Sequence, residues 1–283
     1  MKQIKKAVLS TFVCDTYSLG SHWVYDEKEL SNLPIDFEML NAPQSMWHKG
    51  KEKGDFTHYG DQNLFLLEYI DKNRDFDTIA YYNSWKEHML YYEGYVDAST
   101  RESLKKRGAS SQDLSICGRI SPLLLCSDTR EIFLKNVSDF VSLTHNSELA
   151  LNASAFFAEL LWHSQENSDT YSLIKDLKTK YKMLSNWIDE AIEKKDSDSF
   201  NAIRDFGPAC GIEGGFAGVI YLLLQDKDFK TIMIENAKAG GDSSARGMVV
   251  AMILGISTDT ELPHNWLDEM KQYNNIEKIL KGF

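Results

Sequence analysis

Two stretches of the chain gather hard oxygen donors at the mouths of apolar helical runs. In residues 236–250, NAKAGGDSSARGMVV, two glycines lead into Asp242, Ser243 and Ser244, and an apolar run follows at once. Carboxylate and hydroxyl oxygens in that position suit a hard cation such as Mg²⁺. Gly240 and Gly241 let the backbone come close to a ligand. In residues 58–70, HYGDQNLFLLEYI, Asp61 takes the same kind of place, and Gln62 and Asn63 add neutral oxygens. The plainer reading of both acids is an N-cap, accepting a backbone N–H at a helix start. Taken together they form two oxygen clusters that a helical bundle can bring face to face.

Three further pieces carry polar groups in apolar company. Asp15 interrupts an apolar run in CDTYSLGSHWVYD, residues 14–26, which ends with His22, Tyr25 and Asp26. A carboxylate so placed is paired, exposed or functional. Arg119 follows Gly118 in SICGRISPLLL, residues 115–125, and reads either as tied to a nearby carboxylate or as a bidentate clamp for an anion. His145 precedes Ser147 and a long apolar helix in LTHNSELA, residues 143–150, where a structural role is the plainer reading. The chain has no GxGxxG in a βαβ pattern, no GxxxxGK[ST], no GxSxG and no HExxH. No nucleophile stands out, which leaves carboxylate-and-metal hydrolysis as the chemistry.

The elements that must position these groups are helices. Apolar residues recur at helical spacing over 5–19, 63–72, 76–93, 129–143, 169–194, 213–225, 229–238, 244–256 and 264–281. Residues 148–164 are nearly apolar all round and read as a central helix. Alternating strand runs are missing. The expectation is one all-α domain over residues 1–283. Pro34, Pro43, Gly50 and Gly54 break any periodicity over 31–58, which reads as a long surface loop or lid.

Composition narrows the partners. With 283 residues, 43% of them hydrophobic, the chain can bury a sizeable core. A net charge of −11 disfavours nucleic acid or an anionic membrane as the main partner. It leaves room for a small phosphorylated ligand, which local amides and single arginines bind. Cys14, Cys117, Cys126 and Cys210 form no CxxC pair, which points to a reduced, cytoplasmic setting. The apolar run near the start is short and ends at Asp15 without a small-x-small cleavage site, so it does not read as a secretion signal. No run of 18 apolar residues exists to span a membrane.

In this order the pieces resemble the ADP-ribosylglycohydrolase family over nearly the whole chain. CDTYSLG is similar to an early acid-and-glycine helix, and YGDQN (59–63) to a Tyr-Thr-Asp-Asp-Thr motif. GRISPLLL is similar to a Gly/Arg/Pro segment, and Thr144 with His145 to a Thr-His pair. Asn236 and GGDSSA (240–245) resemble an Asn-x-x-Gly-Gly-Asp-x-Asp-Thr motif, the most specific of the matches. The resemblance implies an all-α orthogonal bundle with a cleft where the two acidic motifs meet. It also implies hydrolysis at the anomeric carbon of ADP-ribose, on a protein or small-molecule adduct, with two Mg²⁺ ions.

The sequence departs from that pattern at the metal. Gly60, Asp61 and Gln62 stand where Thr-Asp-Asp is expected, and Asp242, Ser244 and Ala245 where the Asp-x-Asp-Thr ligands are. Two of four carboxylates remain, too little charge to hold two divalent ions close together. The expectation is at most one Mg²⁺, held by Asp61, Asp242, Ser244 and Gln62, unless Arg246 or a water takes the place of a metal or the site has drifted to another ligand. Asp61, Asp242 and Asp15 are the candidate catalytic acids. Asp26, Gly240, Gly241, Ser243, Arg119 and His145 are the candidate substrate contacts. The leading reading is a hydrolase of an ADP-ribosyl or related ribosyl bond. Against it stand a binder of ADP-ribose or a nucleotide without turnover, and a purely structural helical protein.

Overall fold

The computed structural model describes residues 1–167, 169–256 and 260–283. Among these residues there is no sheet; isolated bridges pair Val24 with Gly241, Ser110 with His145, and Asp113 with Gly211. The α-helices, in chain order, are α1 (Lys2–Ser18), α2 (Glu27–Asn32), α3 (His58–Asn73), α4 (Thr78–Met89), α5 (Ala98–Lys105), α6 (Arg130–Ser142), α7 (Glu148–His163), α8 (Thr170–Lys180), α9 (Ser185–Glu193), α10 (Ser199–Phe206), α11 (Ile212–Leu223), α12 (Phe229–Lys238), α13 (Ser243–Ile256), α14 (His264–Glu269) and α15 (Tyr273–Lys281). Tight 3₁₀ turns at Met46–His48, Leu114–Arg119, Ser121–Cys126 and Lys182–Leu184 join some of them. No helix among the described residues is long and apolar enough to cross a membrane.

Every helical run read from the sequence is present. The run 169–194 is two helices, because Lys182–Leu184 tightens into a 3₁₀ turn, and 264–281 also divides in two. The short helices α2, α5 and α10 carry too little apolar periodicity to be read. Helix α3 starts five residues before the expected 63, since Thr57 caps it by accepting from the Tyr59 amide at 3.1 Å. Asp61 therefore lies in the first turn and is not the N-cap.

The core is one contiguous cluster, with α1 and α13 packed along each other at its centre. Nearly every residue of α13 is buried. The segment 31–58 is not a free surface loop. Leu40, His48 and Phe56 are buried, the Tyr17 hydroxyl donates to Phe37 O at 2.8 Å, and Trp266 Nε1 donates to Glu38 O at 3.0 Å.

Aspartate is this chain's habitual helix cap. Asp26, Asp77, Asp97, Asp113, Asp169, Asp198 and Asp228 each accept a backbone N–H at the start of a helix or 3₁₀ turn. Asp242 does the same for α13, accepting from the Ala245 amide at 3.0 Å. Such a cap stabilises a helix by about 1 kcal/mol and needs no other purpose. Five of the eight are exposed; Asp97 and Asp113 are half-buried and Asp242 is fully buried. An aspartate is costly to bury, and these three converge on one place.

Candidate functional site

Asp242 is delivered by a backbone that only glycine tolerates. Gly240 and Gly241 sit at φ +71° and +65°, and a β-carbon on Gly241 would lie 2.1 Å from Pro208 O. Their amides meet the chain's own carbonyls: Gly241 N donates to Val24 O at 2.7 Å and Gly240 N to Ala237 O at 3.0 Å. The close approach expected for a ligand is made to neighbouring backbone. Arg246, fully buried, holds the loop from within, donating to Gly240 O (2.7 Å), Asn236 Oδ1 (3.1 Å), Asn236 O (3.3 Å) and Pro208 O (3.4 Å). Burial lowers its pKa to about 10, so it remains cationic at neutral pH. Ser243 O accepts from Asn236 Nδ2 at 2.7 Å, and the Ser243 hydroxyl lies 3.4 Å from that of Ser21.

Around the Asp242 carboxylate stand Tyr59, whose hydroxyl donates at 3.0 Å, and His22, with Nδ1 at 3.4 Å. Asp97 approaches from the start of α5, its Oδ2 lying 3.6 Å from His58 Nε2. Asp113 joins through residues 208–211: Gly211 bridges Asp113, Leu114 N donates to Cys210 O at 2.8 Å, and Asp242 N donates to Pro208 O at 2.9 Å. Burial raises the Asp113 carboxyl to about 7, with the negative charges of Asp242 and Asp97 pushing the same way and the Ser115 amide opposing.

Rings close over this floor. His22 lies between Asp242 and a layer of Trp23 (centroids 4.7 Å) and His48 (5.0 Å). Trp47 and Tyr95 pack edge-on against Trp23 from outside, and Trp47 is half exposed. Trp23 adopts φ +63°, a conformation unusual for a bulky residue. Burial is the main cause that holds His22 neutral and drops His48 and His58 to about 3. His22, Tyr25 and Asp26 were legible as a polar exit from the first helix. His48, Asp97 and Asp113 carry no sequence signal that separates them from an ordinary loop residue or cap.

A second buried group lies beside the first. Asp15 accepts from the Thr57 amide (2.8 Å), the Thr57 hydroxyl (2.6 Å) and the Ser244 hydroxyl (2.5 Å). Burial raises it to about 6, although those three hydrogen bonds pull the other way. Here the exchange at Gly60 acquires its reason: a β-carbon there would lie 2.1 Å from Asp15 Oδ2. The carboxylate of Asp15 occupies the space that a threonine at residue 60 needs.

Asp61 bonds to none of these groups, although its charge adds to the rise of Asp15. It follows Tyr59 by two residues, which turns it by about 200° around α3. It faces a cavity of about 490 Å³ instead, where Lys51 Nζ and the Tyr92 hydroxyl each sit 2.5 Å from its Oδ2. Burial raises its pKa, opposed by Lys51. Asp61 and Asp242 share no hydrogen-bond or ion-pair partner among the described residues.

The remaining expected residues bond to neither Asp242 nor Asp61, although the charge of Arg119 acts on Asp97 and His58. Gln62 Oε1 accepts from Arg119 Nη1 at 3.0 Å and Trp85 Nε1 at 3.4 Å, so this arginine clamps a neutral amide in the interior. His145 is buried with Nδ1 2.8 Å from Thr144 Oγ1, and its pKa falls to about 3, mainly through burial. Asp26 is exposed and caps α2, accepting from Glu29 N at 2.8 Å.

The residues present do not fit the two-ion centre that the resemblance implies. Lys51 already neutralises Asp61, the oxygen of Gln62 is taken by a guanidinium, and the Ser244 hydroxyl is donated to Asp15. Among the described residues no group of three or more His, Cys, Asp or Glu side chains is arranged to hold a metal ion.

Comparison with known proteins places this architecture. The model of the ADP-ribosylglycohydrolase family matches residues 1–282. Crystallin J1A of Tripedalia cystophora is 23% identical over 308 residues, covering 96% of this chain and 93% of its own. Crystallin J1B of the same organism is 23% identical over 299 residues, covering 93% and 90%. A solved structure described as an ADP-ribosylglycohydrolase-related protein complex superposes with a TM-score of 0.73, covering 99% of this chain and 96% of that one at 17% identity, a likeness of fold.

Proposed function

The chain belongs to the ADP-ribosylglycohydrolase family, and from that premise we propose that it hydrolyses an ADP-ribosyl or related ribosyl glycosidic bond through Asp113 and Asp242. The observation that carries the reading is the meeting of Asp113 and Asp242 across residues 208–211; burial first, and then the charge of Asp242, raises the Asp113 carboxyl to about 7. Glycoside hydrolysis needs one carboxyl that still holds a proton near neutrality and one that stays negative. Asp113 donates its proton to the departing group. The charge of Asp242 stabilises the oxocarbenium character that develops at the anomeric carbon. Tyr59 and the Ala245 amide hold Asp242 in place, and a water molecule adds to the anomeric carbon as the bond to the departing group breaks, giving its proton to the Asp113 carboxylate. The substrate in this reading is an ADP-ribosylated protein or a smaller ADP-ribosyl or nucleotide compound, and the setting is cytoplasmic. At most one Mg²⁺ belongs to it, and no step depends on that ion.

Asp113→Asn and Asp242→Asn are each expected to lower kcat on ADP-ribosyl-arginine or ADP-ribosyl-serine by about 10²-fold or more. The wild-type rate should fall as pH rises through about 7, as Asp113 loses its proton. Full turnover by Asp113→Asn would remove the acid from this scheme.

A second reading, binding of ADP-ribose or a nucleotide without turnover, is favoured by one observation. Asp242 is completely buried beneath His22, Trp23 and His48. The crystallin names of two similar proteins lean the same way. Calorimetric binding of ADP-ribose together with no product from any ADP-ribosyl adduct selects it.

A further inference from the structure

We propose that Lys51 is a built-in replacement for a divalent cation at Asp61. The inference rests on family membership and on the geometry of the cavity, not on the hydrolytic chemistry above. Lys51 Nζ lies 2.5 Å from Asp61 Oδ2. A hard cation on a carboxylate sits at about 2.0–2.6 Å, so the ammonium stands at the range from this oxygen that such an ion would take. Both side chains are only one-fifth exposed, so the pair is not a loose surface contact.

The chain delivers this charge deliberately. Lys51 N donates to His48 O at 3.0 Å, so the turn that seats His48 over the floor also aims Lys51 into the cavity. The Tyr92 hydroxyl donates to the same oxygen of Asp61 at 2.5 Å, from the opposite rim. The cavity is lined by Asp55, Asp61, Glu68 and Glu93, with Lys49 and Lys51 as its cations. Asp55 is paired with Lys271 at 3.1 Å, so without Lys51 the carboxylates of Asp61, Glu68 and Glu93 face Lys49 alone. The next residue of the motif repeats the pattern: the oxygen of Gln62 is taken by the guanidinium of Arg119. A tethered ammonium needs no free metal, so the charge it supplies does not depend on the concentration of a divalent ion.

Mn²⁺ titration of metal-stripped protein, followed by electron paramagnetic resonance, tests this. Wild type and Lys51→Arg should leave Mn²⁺ free in solution up to the millimolar range. Lys51→Met should take up one Mn²⁺ at least about tenfold more tightly, because Asp61 then has no cation beside it. Adding Asp61→Asn to Lys51→Met should abolish the uptake. Lys51→Gln is the second variant should Lys51→Met fail to fold, judged by circular dichroism. Wild-type uptake as tight as that of the neutral variants overturns the proposal, and so does a folded neutral variant with no uptake. Turnover is not read, so failure of the hydrolase reading leaves this result interpretable.

Discussion

The two ends of α3's first turn treat a carboxylate in opposite ways. Asp61 opens onto a cavity and is neutralised by a full positive charge, Lys51 at 2.5 Å. Asp242, reached from the same turn through Tyr59, is buried among neutral hydrogen-bond partners, with Arg246 acting on its loop. A charge-neutralised carboxylate at a cavity is tolerant of change, because water and counter-ions can replace a lost partner. A buried one is not, because each lost partner leaves a polar atom stranded. In the proposed function, catalysis and stability draw on one network around Asp242, whereas the pair at Asp61 lies outside it.

The largest expected effect is at Arg246. Arg246→Met strands Gly240 O and both oxygens of Asn236, while Pro208 O keeps the Asp242 amide. The expected loss in urea unfolding is about 4 kcal/mol. A loss under about 1 kcal/mol would mean that the Gly240–Gly241 loop is supported elsewhere and would blur the contrast.

Next comes the pH dependence of the buried network. The carboxyl of Asp15 is raised in the folded state from 3.8 to about 6. The folded protein thus holds a proton that the unfolded chain has released, and stability contributed by this group falls as pH rises from about 4 to about 6. The fall is on the order of 3 kcal/mol. Asp15→Asn lacks it, so the stability difference between wild type and variant should shift against wild type across that window. A pH-independent difference would show that Asp15 is not held protonated.

The smallest effects compare the two tyrosines directly. Tyr59→Phe removes a donor from buried Asp242 and should cost about 1–2 kcal/mol, whereas Tyr92→Phe leaves Asp61 with Lys51 and should cost under about 0.5 kcal/mol. Thermal or urea denaturation of the two variants side by side measures this. The reverse order would break the comparison between the two ends.

Much of the candidate site was visible as residue types but not as an arrangement. Asp15, Asp61 and Asp242 all stood out as acids beside apolar runs. Only Asp15 and Asp242 lie in the buried network, because residues 59 and 61 project from opposite sides of one helix turn. Asp113 looked like any other aspartate ahead of a turn, and most such aspartates here are surface caps. Lys51 lay in a stretch without periodicity, so nothing in its neighbours signalled a partner.

The sequence by itself determined the all-α class, nearly all the helices and the family, because apolar spacing and short motifs are local and survive in the order of the residues. Tertiary structure alone decided which carboxylate meets which partner. It sets Asp15 where a β-carbon on residue 60 would go, closes Trp23 and His48 over Asp242, and brings Lys51 to Asp61. Those outcomes depend on burial and on contacts between residues far apart in the chain. A carboxylate's charge and partners are set by the dielectric and the donors packed around it, and neither is written in its immediate neighbours.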